Sequence, residues 1–85
     1  MLDDKTFEKA ANKFISFLLP KNYIDGKLQV IYPGFKSDEK WVQITLTVPK
    51  GVEYDKMVSS NIIKDIENYI GVKINLMGVV LIKQN

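Results

Sequence analysis

The amino-acid sequence predicts an α+β fold: a three-stranded sheet with two helices packed on one face, in the order α-β-β-α-β. Three observations carry this. Residues Val42 to Val48 alternate apolar and polar side chains with period two. Two stretches, around Phe7–Leu18 and Val58–Tyr69, repeat apolar residues at the spacing of a helix face. Hydrophobic residues make up 46% of the 85, enough for a core and too many for a disordered chain. Residues 1–85 read as one compact domain, with no repeat, linker or low-complexity segment.

The first helix starts at Asp3 or Asp4, either of which can accept from free backbone amides. Phe7, Ala10, Ala11, Phe14 and Leu18 form its apolar face, and Ile15 and Phe17 widen it, so that it is covered on more than one side. Lys5, Lys9 and Lys13 line the opposite face. A solvated face is the plainer reading of that stripe, a phosphate- or membrane-facing surface the sharper one. Pro20 ends the helix near Leu19.

Asp25-Gly26 reads as a turn, after which Leu28, Val30 and Tyr32 alternate with Gln29 and Ile31 as a strand. Pro33-Gly34 stops it, and Phe35–Lys40 reads as a loop. In the next strand Val42, Ile44, Leu46 and Val48 point one way; Trp41, Gln43, Thr45 and Thr47 point the other. The two strands are close enough in sequence to form an antiparallel hairpin.

Pro49-Lys50-Gly51 ends the hairpin. Asp55 caps a second helix running to Ile70, with Val58, Ile62, Ile66 and Tyr69 as its buried stripe and Ile63 and Ile70 beside them. Gly71 stands where a left-handed residue closes a helix. Val72 to Lys83 forms the last strand, bent or bulged at Gly78. Its near-continuous apolarity points to an interior position, or to an edge covered by another chain.

Composition excludes more chemistry than it supports. There is no cysteine and no histidine, so thiolate nucleophiles, disulfides, the usual neutral-pH base and the commonest metal ligand are all missing. Ser59 and Ser60 therefore have no histidine to activate them. The carboxylate pairs Asp3-Asp4, Asp38-Glu39 and Asp65/Glu67 read as capping or solvated groups rather than catalytic dyads. The five glycines never fall into a phosphate-cradling pattern. The chain reads as no enzyme, without cofactor, metal or small-molecule substrate. No apolar run is long enough to span a bilayer and the start lacks the order of a signal peptide, so the expected location is the cytoplasm.

Net charge is +2, and every basic residue is a lysine. Lysine supplies a point charge without the planar fork that grips phosphate and guanine edges. One cluster still stands out. Tyr32, Phe35 and Trp41 flank the hairpin loop beside Lys36 and Lys40, with Gln43 and Thr45 continuing the face of Trp41. These seven residues are the candidate binding surface, where exposed aromatics would anchor a partner or stack bases. The plainer alternative is that Trp41 shields the hairpin.

Ile44-Thr45-Leu46-Thr47-Val48, then Gly51-Val52, then a helix closing on Tyr69-Ile70-Gly71-Val72-Lys73-Ile74, with apolar residues spaced as Met77, Val79 and Leu81, resemble the alkaline-shock-protein domain family. The match runs over roughly Val42–Leu81, without the family's usual threonine before Gly71. The resemblance implies an oligomerising, envelope-associated bacterial scaffold protein and not an enzyme. The element order also resembles the ring-building modules of secretion and sporulation machines, and one form of the KH fold, whose G-x-x-G clamp is absent here.

Taken together, the leading expectation is a non-catalytic protein-interaction or self-assembly module, a small scaffold or accessory protein whose partner is another protein or itself. One alternative is a nucleic-acid-binding protein using lysines and the aromatic hairpin patch, its affinity falling steeply with salt. Another is an inhibitor of a host protein encoded by a phage or mobile element.

Overall fold

The computed structural model of the protein describes residues 2–32 and 39–85. In chain order the elements are α1 (Asp4–Leu18), β1 (Asp25–Val30), β2 (Glu39–Pro49), α2 (Lys56–Ile70) and β3 (Lys73–Gln84). This is the predicted α-β-β-α-β order. The sheet order is β1-β2-β3, with β1 antiparallel and β3 parallel to the central β2. The last strand is therefore an edge.

Helix α1 begins at Asp3, whose Oδ1 accepts from the Thr6 amide at 2.8 Å while Oδ2 accepts from the Thr6 hydroxyl at 3.0 Å. Those hydrogen bonds hold the exposed Asp3 carboxyl below its ordinary pKa. Phe7, Ala11 and Ile15 are its fully buried positions. Phe17 does not extend the buried face; it is 77% exposed, because α1 is covered by the sheet on one side only. In α2 the Asp55 carboxylate accepts from the Met57 amide and Gly71 closes the helix at φ 77°. Ser59, Ile62, Ile63 and Ile66 are buried. Tyr69 falls outside that stripe: it is 66% exposed and lies flat on Phe14, ring centroids 4.8 Å apart, as a bridge between the helices.

Strand β2 follows the alternation read from the sequence. Val42, Ile44, Leu46 and Val48 are buried under the helices, while Trp41, Gln43, Thr45 and Thr47 are half-buried on the other face. They join Leu28, Ile74 and the helical residues in one core cluster, each large aliphatic contributing about 2 kcal/mol by leaving water. Leu76, Val79 and Leu81 of β3 pack against its margin. The register between β2 and β3 slips after Val42↔Leu76, so that Gln43 faces Gly78 and Met77 is the extra residue. The irregularity expected at Gly78 is thus a bulge one residue wide.

Two strands start earlier than expected. Glu39 and Lys40, assigned to the loop, are the first residues of β2. Asp25 and Gly26 are not a turn but the first residues of β1. Gly26 is small for a packing reason: a Cβ there would stand 2.8 Å from Ile15 Cγ2 and 3.0 Å from Leu19 Cδ2. Ile15 is fully buried and β-branched, so it has little room to yield. Gly26→Ala is expected to cost about 1–3 kcal/mol of stability. Unchanged thermal and urea midpoints would show that α1 shifts freely on the sheet.

Among the described residues no helix is long and apolar enough to cross a membrane.

Candidate functional site

The face of the sheet turned away from the helices starts at the hairpin end with Trp41. The Tyr32 ring meets the Trp41 ring edge-on, centroids 6.2 Å apart and planes at 71°. Alternation places Tyr32 on the side of Leu28 and Val30. Instead β1 ends at Val30, which releases Tyr32 from the pleat. Gln43 and Thr45 continue the row from Trp41, flanked across β1 by Gln29 and Lys27. On the β3 side the same row is flanked by Asn75, Gly78, Val80 and Ile82. The open face is thus polar along β1 and apolar along the far half of β3.

Lys40 does not belong to this surface. It points to the helix side, is 4% exposed, and its Nζ lies 2.8 Å from Asp4 Oδ1 and 5.9 Å from the centroid of the Phe7 ring. Sequence alternation alone would have assigned it there, two residues before Val42. Its charge is engaged at the start of α1 and is not available beside Trp41. Phe35 and Lys36 lie outside the described residues. Of the seven sequence-predicted positions, Tyr32, Trp41, Gln43 and Thr45 are brought together on one face.

The two sheet edges are treated differently. At β1, the Asn12 side-chain amide from α1 accepts from the Leu28 N–H at 2.8 Å and donates to the Leu28 carbonyl at 3.0 Å. It also donates to the Glu8 carbonyl of its own helix. Glu8 Oε2 accepts from the Val30 N–H at 3.1 Å. Side chains of α1 therefore take the place of a fourth strand. An edge blocked in this way cannot pair with another chain.

No family model, no curated protein and no solved structure matches the chain.

What the chain does at β3 is consequently read from its own geometry. At the near end, Glu67 Oε2 of α2 accepts from the Ile74 N–H at 2.7 Å, and Glu39 holds both Asn75 and Lys73. Among the described residues this cover does not continue beyond the Met77 bulge. The Gln84 carbonyl accepts from Lys50 on the β2 side of the strand at 2.8 Å. Successive residues direct their backbone groups to opposite sides of a strand, so those of Val79, Leu81 and Lys83 point away from β2. Among the described residues no strand lies on that side. Met77, Val80 and Ile82 are exposed along the same stretch. The sequence signalled this strand by its apolarity, but carried no sign that α1 closes the opposite edge.

Among the described residues every buried side-chain nitrogen and oxygen has a hydrogen-bond partner, so none is left aimed at a ligand. The buried Ser59 hydroxyl is engaged with the Tyr54 hydroxyl at 2.6 Å and the Lys56 carbonyl at 3.1 Å. Within the described residues no three histidine, cysteine, aspartate or glutamate side chains are grouped to hold a metal.

Proposed function

We propose that the protein is a non-catalytic protein-interaction or self-assembly module that acts by adding a strand to the outer edge of β3. The observation that carries this reading is the asymmetry of the edges. The backbone of β1 is occupied by Asn12 and Glu8, whereas among the described residues no strand pairs with the outer side of Val79–Lys83 in β3, where Val80 and Ile82 are exposed. An edge that is both long and apolar is a template for pairing, and folds with no use for it normally blunt it. Blunting is what happens at β1.

Strand addition draws its affinity from backbone hydrogen bonds and its selectivity from alternate side chains. Here those side chains are Val80 and Ile82 on the open face, with Val79 and Leu81 on the helix side. A partner strand of apolar, β-branched character fits both faces. The nucleic-acid reading keeps the Tyr32–Trp41 ring pair but loses Lys40, which is paired with Asp4.

Light scattering after size exclusion, over a range of concentration and salt, tests the proposal. The expected result is an assembled species that persists in high salt, since the contact is apolar and backbone-mediated. Lys83→Pro removes an outward N–H from an edge strand while its exposed side chain leaves the core untouched. It is expected to weaken assembly at least tenfold with little loss of stability. Assembly unaffected by the proline would place the contact elsewhere.

A further inference from the structure

We infer that the strand added to β3 is the β3 of a second copy, antiparallel and related by a two-fold axis at Leu81, and that assembly stops at two. The inference rests on the strand-addition reading above and specifies its partner, register and stoichiometry.

The register comes from what is already occupied. Glu67 takes the Ile74 N–H, and the Met77 bulge breaks the edge after Leu76. The continuous outward-facing run is therefore Val79, Leu81 and Lys83, whose centre is Leu81. Two antiparallel copies satisfy every outward donor and acceptor of that run only when Leu81 faces Leu81 and Val79 faces Lys83. A shift by two residues in either direction leaves outward groups at one end without partners.

The side chains agree with that register. On the open face Val80 of each copy stands opposite Ile82 of the other, so four exposed aliphatic side chains close into one cluster. On the helix side the two Leu81 side chains, each only partly buried in its own core, meet at the axis. The two Lys83 ammonium groups stay apart, because their α-carbons lie four residues out of register, about 13 Å. No like charges oppose across the pair. The contact is self-complementary, as a two-fold interface must be.

Stoichiometry follows from the other edge. A strand pair that joined β3 of one copy to β1 of the next would repeat without closing. Asn12 and Glu8 already hold the outward groups of Leu28 and Val30, so that route is shut. Each chain has one usable edge, and two chains use both.

Because the chain contains no cysteine, introduced thiols report the register directly. In the double variant Val80→Cys/Ile82→Cys, each thiol faces its counterpart across a close pair and bridges it on mild oxidation with oxidised glutathione. Either single variant leaves its two thiols offset by two residues, beyond disulfide reach. The expected result is a covalent dimer from the double variant, little from the singles, and no larger species. Efficient cross-linking of Val80→Cys alone would move the axis and overturn the register. A monomer that forms no cross-link overturns self-pairing, yet leaves the edge to another protein's strand. A dimer that neither cross-links nor responds to Lys83→Pro removes the β3 edge altogether, and the strand-addition reading with it.

Discussion

Asp4→Asn is expected to destabilise the fold by about 2–3 kcal/mol, whereas Lys40→Met is expected to be nearly neutral or mildly stabilising. The asymmetry arises from where the two charges sit. The Lys40 side chain is 5% exposed and the Asp4 side chain 23%, with 2.8 Å between them. Removing the carboxylate charge leaves an ammonium in a site that water barely reaches, next to the Phe7 ring. The amide oxygen of the substituted side chain can still accept a hydrogen bond from that ammonium. Water also reaches part of this position, so the loss stays below the full penalty of an uncompensated buried charge. Methionine in place of Lys40 fills a similar volume without any charge to solvate. Asp4 then loses this ion pair but remains in the first turn of α1, where an acid is favoured.

A double-mutant cycle read by urea denaturation separates these contributions. The expected coupling is large, with Asp4→Asn costing far less once Lys40 is replaced by methionine. Equal losses from both single variants, with no coupling, would mean that the pair is solvated and that Lys40 contributes through its aliphatic stem alone.

This ion pair marks where sequence reasoning stops. The alternation of β2 was legible because it is local: period two from Trp41 to Val48 assigns both faces without knowledge of the rest of the chain. The same holds for α2, where Asp55 and Gly71 mark both ends. Lys40 lies on the same alternation, but its short distance from Trp41 in sequence drew it into the aromatic cluster. Its partner is 36 residues away, and no spacing rule connects them. Gly26 shows a related difficulty. Asp-Gly is a strong turn signal, and only the packing of Ile15 and Leu19 over the strand reveals that the glycine answers a steric demand.

The candidate site divides in the same way. Trp41, Gln43 and Thr45 were brought to one surface by rules of local periodicity, whereas Tyr32 meets Trp41 against that alternation, because β1 ends at Val30. Sheet order is a tertiary property, and the apolarity of Val72–Lys83 was compatible with a central or an edge position. Only the parallel pairing of β3 with β2 at the margin of the sheet makes that apolarity a surface feature. Equally, Glu8 and Asn12 are ordinary polar residues one helical turn apart. Their role at the β1 edge appears once α1 is laid beside that strand.

That role leads to the second large effect. Asn12→Ala removes the acceptor for the Leu28 N–H and a donor to the Leu28 carbonyl in one substitution. Each half-buried backbone group left without its partner costs on the order of 1–3 kcal/mol, less where water reaches it. A combined loss of about 2–3 kcal/mol is expected. Amide exchange should accelerate at Leu28 and, when Glu8→Ala is added, at Val30, because these are the N–H groups the helix protects. The consequence for assembly follows from edge geometry. With β1 unblocked a chain has two usable edges, and pairing no longer closes after two copies. Light scattering on Glu8→Ala/Asn12→Ala is therefore expected to show growth beyond the dimer, increasing with concentration. Adding Lys83→Pro to the same chain should reverse much of it, by closing the other edge. Wild-type exchange rates and a species no larger than that of the parent chain would show that the body of α1, rather than its two polar side chains, protects β1. In that event the limit on assembly would be steric, and no polar substitution on α1 could lift it.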